Sequence, residues 1–203
     1  MRQIGDHFGQ IDILFANAGI SECPPIQETD DAFFDHIMGI NVKGVFFTFT
    51  QALPWLAQDA SVIFTSSVAH ERGRPGDPLY TASKAAVRSL ARTLAADEDV
   101  LSRGIRVNVV SPGAIYTPLT ANQDTYAMLE AVNSYVAETV PMKRWGQPEE
   151  VARAVLFLAS SKLVLYDGRR DRHRRRPGPD LSRSSRTLTF APRDKKNPVL
   201  KRG

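Results

Sequence analysis

Three side chains in one short stretch of this chain could together manage a proton at a carbon–oxygen bond. They are the hydroxyl of Ser67, the phenol of Tyr80 and the ammonium of Lys84, all within SSVAHERGRPGDPLYTASK, residues 66–84. Tyr80 and Lys84 stand four residues apart, so on a helix they lie one above the other on a single face. A phenol, with a reference pKa of about 10, is a poor base near neutrality. An ammonium held a few ångströms away favours the phenolate and lowers that value. A phenol tuned in this way can give a proton to an alcohol or carbonyl oxygen, or take one from it. A nearby serine hydroxyl can hold that oxygen in place. Such a proton transfer commonly accompanies hydride transfer, and no side chain supplies hydride, so a nicotinamide cofactor would be needed. Each feature also has an ordinary reading. Tyr-x-x-x-Lys arises by chance on many helices, and Ser-Ser after a strand is a common turn or cap.

The elements around the trio must place it. Residues 61–65, SVIFT, read as a short buried strand. Ser67 then falls where that strand runs out into a loop, at the carboxyl edge of a sheet, where open α/β folds build their ligand crevices. The loop 68–78 carries Gly73, Pro75, Gly76 and Pro78 and is expected not to be helical. His70 within it reads as an exposed loop histidine. A helix is expected from Tyr80 to about Asp97, with Ala86, Val87, Leu90, Ala91 and Leu94 facing inward.

Upstream, Met1 to Gln10 reads as the end of a helix stopped at Gly9. Ile11 to Ala16 reads as a strand buried on both faces, as in a parallel sheet. Thr29-Asp30-Asp31 signals a helix start. Phe33, Phe34, Ile37 and Met38 give one apolar stripe, and Val42, Val45, Phe46, Phe49, Leu53 and Leu56 give a longer one. Asn41 lies between them, where a buried amide must be hydrogen-bonded. On the residues alone, a helix-capping asparagine and a functional one are equally good readings. Downstream, Ile105 to Val110 is the next strand, broken by Ser111-Pro112-Gly113. Residues 118–140 are polar with scattered apolar positions. Pro148-Glu149-Glu150 opens a last helix with acidic residues in its first turn, favourable to the helix dipole. Val151, Val155, Leu156 and Leu158 are expected on its buried side.

Charge is divided unevenly along the chain. Residues 1–161 hold 12 Lys/Arg and 18 Asp/Glu, a net −6, whereas residues 162–203 hold 14 and 4, a net +10. The basic character therefore belongs to the tail. Cys23 is the only cysteine, which excludes an internal disulfide and fits a reducing compartment. No apolar run reaches the length of a membrane span, and no secretory signal pattern opens the chain. A cytoplasmic location, no membrane partner and no metal site are expected.

Taken jointly, the motifs resemble the short-chain dehydrogenase/reductase family. Asn17-Ala18-Gly19 after a strand, Asn41-Val42-Lys43-Gly44, Ser67, Tyr80-x-x-x-Lys84, Ser111-Pro112-Gly113 and Gly146-Gln-Pro-Glu-Glu-Val151 fall in the family's order. The 13 positions from Ser67 to Tyr80 are also the family's spacing. The resemblance spans Ile11 to about Ser161. It implies an α/β fold with a Rossmann-type, doubly wound parallel sheet, and an NAD- or NADP-dependent oxidation of a secondary alcohol to a ketone, or the reverse. It implies Tyr80 as acid/base, Lys84 as its tuner and ribose ligand, Ser67 as holder of the carbonyl, and Asn41 as a member of a water-mediated proton relay. It places Asn17, Ala18 and Gly19 beside the adenosine ribose, a turn that on residues alone is an ordinary strand-to-loop connection. It places Pro112, Gly113, Ile115 and Thr117 at the nicotinamide carboxamide, and makes 118–140 a substrate lid. Helices 42–57 and 80–97 would pair two copies in a homo-oligomer.

The resemblance is incomplete. The family begins with a strand, a glycine-rich turn and a helix whose N-terminus receives the pyrophosphate. No G-x-G-x-x-G occurs in this chain. The expectation is an incomplete sheet that lacks the family's first three strands and its last, with Ile11–Ala16 as a bare apolar edge. Hydrogen bonds to charged groups contribute roughly 1.5–3 kcal/mol each. Losing three would weaken cofactor binding by about 5 kcal/mol, more than about a thousandfold. The domain is expected to end near Ser161, and 162–203 reads by composition as a disordered basic tail. Such a tail could hold nucleic acid loosely through phosphates, although nothing in the acidic body helps. Alternatively, residues 166–176 can be encoded by codons that, read one base later, give T-T-G-A-E-I-V-I-D-G-G, the ending the family expects, and the gene sequence decides that point. A catalytically inactive chain that pairs with an intact homologue is the alternative to an active reductase.

Overall fold

A computed structural model describes residues 1–22, 24–72, 76–119, 134 and 136–160. Cys23, Gly73, Pro75, most of the expected lid (120–133 and 135) and the expected tail from 162 onward lie outside the described residues. Three parallel strands, β1 (Ile11–Ala16), β2 (Leu56–Thr65) and β3 (Arg106–Val110), form a sheet in that order. Their side chains alternate between the two faces with the period of two that pleating imposes. Leu14, Val62 and Val107 form one row, and Ala16, Phe64 and Val109 the next row on the same face. This face packs against α3 (Val45–Ala52) and α4 (Pro78–Leu94), whose Val45, Phe49, Ala52, Val87 and Ala91 are buried in the same cluster.

The other face carries Ile13, Ser61 and Arg106 in one row and Phe15, Ile63 and Asn108 in the next. It receives the last helix, α6 (Pro148–Ala159). Two buried polar side chains fasten that helix by its C-terminal end, where backbone carbonyls lack helical partners. Ser61 Oγ donates to Leu158 O at 3.0 Å, and Arg106 donates to Leu158 O at 2.9 Å and Ser160 O at 3.2 Å. Helices on both faces of a parallel sheet are the doubly wound arrangement expected from the sequence.

Several elements follow their local signals. α1 (Arg2–Phe8) stops at Gly9, whose φ of 80° suits glycine. α2 (Asp31–Met38) is capped by Asp30, whose carboxylate accepts from Phe33 N at 2.8 Å. At the start of α6 the Glu150 carboxylate reaches back and accepts from Gln147 N at 2.8 Å.

Other expectations need correction. The segment 42–57 is not one helix. Residues Gly39–Gly44 form a π-helical turn, α3 ends at Ala52, Leu53–Trp55 make one tight 3-10 turn, and Leu56 already belongs to β2. Pro54 explains the break, because it removes a donor and crowds the preceding turn. The second helix runs over Pro78–Leu94 rather than 80–97, with Pro78 in its first turn, where a missing N–H costs nothing. Residues Val68–His70 of the expected loop form a short 3-10 turn. A further short helix, α5 (Glu98–Ser102), follows, with Asp97 as its cap. β1 is buried on one face only. Ile13 and Phe15 remain exposed, since α6 covers β2 and β3 and no described element covers that side of β1. On α6, Val151, Val155 and Leu158 are half-buried, but Leu156 is 72% exposed.

Candidate functional site

The carboxyl ends of β1 and β2 place the polar residues of the site. Thr65 Oγ1 donates to Asn17 Oδ1 at 2.9 Å and ties the two strand ends together. Past Thr65 the ladder to β3 continues for one more bond, Ser66 N to Val110 O at 2.8 Å. Ser67 is then extended and caps the turn Val68–His70, its hydroxyl accepting from Ala69 N at 3.2 Å. Val68 N donates to Pro112 O at 3.1 Å, so the Ser111–Gly113 segment lies against the serine segment. Ser66 Oγ donates to Lys84 O at 2.7 Å and fixes this strand end to α4.

α4 buries Tyr80, Ser83, Lys84, Val87 and Ala91, the pattern of one face at helical spacing. The Lys84 ammonium, in a residue 3% exposed, lies 5.6 Å from the centre of the Tyr80 ring and donates to Thr65 O at 3.2 Å. That separation is within cation–π range. Burial holds the Lys84 pKa below the ordinary lysine value, because desolvation disfavours the charged form. An ammonium has three donors, and one is used among the described residues. Gly19 sits close by. A Cβ there would lie 2.9 Å from Lys84 Nζ and 3.1 Å from Asn41 Oδ1.

Asn41 is fully buried at the centre of the π-helical turn, a distortion that recurs at functional sites. Its Oδ1 accepts from Ile20 N at 2.8 Å, and its Nδ2 donates to Ile20 O at 2.9 Å and to Ser83 Oγ at 3.0 Å. Ser83 Oγ in turn donates to Tyr80 O at 2.7 Å. Asn41 therefore caps no helix end. It clamps the loop after β1 to the first turns of α4.

The structure thus brings Asn41, Ser67, Tyr80, Lys84 and Gly19 to one edge of the sheet, with Asn17 on the strand end and Pro112 against the serine segment. Asn17, Ala18 and Gly113 are exposed. Ile115 is bridged to Gly146, whose N–H donates to Ala114 O at 2.9 Å while its carbonyl accepts from Tyr116 N at 3.0 Å. Thr117 follows two residues later in the same segment. His70 differs from expectation. Its side chain is only 6% exposed, because Arg88 of α4 reaches over it. Sequence reasoning also missed Ser83 and Thr65. Ser83 had a readable signal, a polar residue on the inward face of an amphipathic helix, whereas Thr65 contributes a backbone carbonyl that no residue type announces. Among the described residues no cluster of His, Cys, Asp or Glu could hold a metal ion, and no helix is long and apolar enough to cross a membrane.

The family profile described as enoyl-(acyl carrier protein) reductase matches residues 1–169. The chain is 34% identical over 170 residues to the 3-oxoacyl-(acyl-carrier-protein) reductase FabG of Thermotoga maritima, covering 83% of this chain and 66% of that protein. It is 41% identical over 155 residues to the oxidoreductase asL5 of Sarocladium schorii, covering 75% of this chain and 60% of that one. The crystal structure of a short chain dehydrogenase from Burkholderia cenocepacia in complex with NADP superposes with a TM-score of 0.72 at 28% identity, covering 82% of this chain and 65% of that one. The chain thus spans a little under two thirds of the length of these proteins.

Proposed function

Because the chain belongs to the short-chain dehydrogenase/reductase family, whose members are NAD(P)-dependent oxidoreductases, we propose that it carries the proton-transfer half of a site interconverting a secondary alcohol and a ketone. The observation that carries this reading is the buried Lys84 ammonium against the Tyr80 ring at the carboxyl edge of a parallel sheet.

The residues present fit the nicotinamide end of the cofactor. Lys84 keeps two donors for ribose hydroxyls, and Gly19 leaves room at the ammonium that a Cβ would fill. Asn17, Ala18 and Gly19 would border the adenosine ribose, and Pro112, Gly113, Ile115 and Thr117 the carboxamide. The sequence holds no G-x-G-x-x-G for the pyrophosphate. The chain on its own is accordingly expected to bind NADH or NADPH weakly. Bound there, the reduced nicotinamide would supply the hydride.

The chain's own residues manage the oxygen. The Ser67 hydroxyl donates to the carbonyl oxygen and fixes its position. The Tyr80 phenol gives that oxygen a proton as it becomes a hydroxyl, and takes one in the reverse direction. A positive charge beside the ring stabilises the phenolate that remains. Asn41 keeps the Gly19–Ile20 loop and the start of α4 in register through its three hydrogen bonds. Lys84 would pass a proton on to the Tyr80 phenolate, and a water held beside Asn41 would replace it on Lys84.

The test is turnover of a ketone panel at millimolar NADH and NADPH. Tyr80→Phe should lower kcat alone, and Lys84→Met should lower kcat and raise the KM of the cofactor. Turnover indifferent to both substitutions would refute the assignment. A second reading, a chain that pairs with itself or an intact homologue, has its own support. Phe46 and Phe47 on α3 are 41% and 46% exposed, beside an open groove of about 520 Å³ lined by Met38, Val42, Phe46 and Leu90 among others. Sedimentation of the chain alone and with such a homologue tests it, and a monomer in both mixtures would end it.

A further inference from the structure

Arg88 stands one helical turn beyond Lys84, on the face of α4 that also carries Tyr80. Its guanidinium reaches back to the segment that carries Ser67, where Nη1 contacts both His70 Nε2 and Glu71 Oε1. The His70 ring turns its other nitrogen, Nδ1, to the backbone carbonyl of Ser67, with the Ser66 hydroxyl 3.4 Å away. Glu71 Oε1 lies 3.3 Å from His70 Nε2. The serine segment is thus fastened to α4 at two levels. One is the bond from Ser66 Oγ to the carbonyl of Lys84, and the other is Arg88 one turn further on.

The donor inventory assigns the proton on the ring. A backbone carbonyl can only accept, and a guanidinium can only donate. Arg88 lies nearer to Nε2 than Glu71 Oε1 does, so Nδ1 carries the hydrogen and Nε2 the lone pair. The two hydrogens of Arg88 Nη1 then serve His70 Nε2 and Glu71 Oε1, one each. The bond from Arg88 holds the Glu71 carboxyl below the ordinary carboxylate range, so the acceptor beside the guanidinium is an anion. The tautomer is fixed by partners on two different elements, a backbone carbonyl after β2 and a side chain of α4.

We infer that His70, clasped between the carbonyl of Ser67 and Arg88 with Glu71 beside it, is a positioning residue that sets Ser67 relative to Tyr80 and Lys84. This rests on the reading of Ser67 and Tyr80 given above, since a serine that holds no substrate needs no such setting. A misplacement of about 1 Å in a reacting constellation costs roughly a hundredfold in rate. A serine on a loop, opposite a tyrosine on a helix, is exposed to that loss unless loop and helix are joined.

The experiment is a nitrogen–proton correlation spectrum of the histidine rings in the full chain, taken above the ordinary histidine titration range. His70→Asn assigns the His70 signals. The expected spectrum has a protonated Nδ1 and an unprotonated Nε2. Arg88→Leu should return the ring to a tautomer mixture and shift the Ser67 and Val68 amide resonances. Arg88→Lys, which keeps a donor-only cation, should restore both. In turnover, Arg88→Leu should lower kcat about tenfold or more with the cofactor KM unchanged, and Arg88→Lys should regain most of it. A His70 proton on Nε2, or Ser67 resonances indifferent to Arg88→Leu, would overturn the clasp. The expected spectra in a chain that reduces no ketone would uphold the clasp and refute the reductase reading instead.

Discussion

Replacing Asn41 with alanine tests the framework of the site through a fully buried polar side chain. The amide makes three hydrogen bonds, two to the backbone of Ile20 and one to Ser83. Alanine leaves the Ile20 N–H, the Ile20 carbonyl and the Ser83 hydroxyl without those partners, and Ser83 is fully buried. A buried polar group stripped of its partner costs about 1–3 kcal/mol. Ile20 is only half-buried, so water can reach part of it, and Ser83 Oγ keeps its bond to Tyr80 O, so the low end of that range applies, about 1 kcal/mol for each of three groups. A total of about 3 kcal/mol is a large share of a domain stability of about 5–15 kcal/mol. With a urea slope of about 1–3 kcal/mol per molar, the midpoint should fall by about 1–3 M. Ser83→Ala should cost about 1 kcal/mol, and the double variant less than the sum of the two, because both remove the same Asn41–Ser83 bond. Urea unfolding followed by fluorescence provides the numbers, and amide exchange at Ile20 should accelerate alongside. A loss below about 1 kcal/mol for Asn41→Ala, or strict additivity with Ser83→Ala, would refute the clamp.

Three further outcomes follow from the same geometry. Gly19→Ala should lower the thermal midpoint, because the added methyl meets Lys84 Nζ at 2.9 Å and the clamping Asn41 Oδ1 at 3.1 Å, and displacing that ammonium should cost ketone reduction about tenfold or more, about 1.4 kcal/mol in the barrier. Lys84→Met should stabilise the fold at neutral pH. Burial lowers the lysine's folded pKa below 10.5, so the folded state binds fewer protons than the unfolded one between the two values. Wild-type stability therefore rises with pH through that window, and the advantage of the variant should shrink as pH approaches 10.5 in a pH series of melts. Glu150→Gln acts in the opposite sense. The Arg144 hydrogen bond, with Gln147 N, lowers the Glu150 pKa from 4.5 to about 2, so its contribution is complete above 4.5 and is lost as pH falls through about 2. The wild type should melt above Glu150→Gln at neutral pH, and the gap should close on acidification.

What the sequence made readable, and what it hid, follows from the range of the signals. β1 and the cap at Asp30 are written in a few adjacent residues, the apolar run 11–16 and the aspartate before Asp31, and both lie where expected. The Tyr80–Lys84 pair was legible because four-residue spacing on a helix is itself a geometric statement. Asn41 was legible as a buried amide but not as a clamp, since its partners Ile20 and Ser83 are 21 and 42 residues away. His70 looked exposed because glycine and proline surround it, and the residue that buries it, Arg88, belongs to another element. The exposure of Ile13, Phe15 and Leu156 was hidden for a related reason. Hydrophobicity says which residues can be covered, and only the tertiary arrangement says which of them are.

The most direct test follows a deuterium label from the reduced nicotinamide of NADH or NADPH to the carbinol carbon of a product alcohol. Purified chain, wild type and Tyr80→Phe, would be compared at millimolar cofactor by mass spectrometry. A proton donor contributes about 10²–10⁴ in rate. The expected result is label in the alcohol with the wild type and at least about a hundredfold less with Tyr80→Phe. No label with the wild type, or equal label with both, would contradict the account.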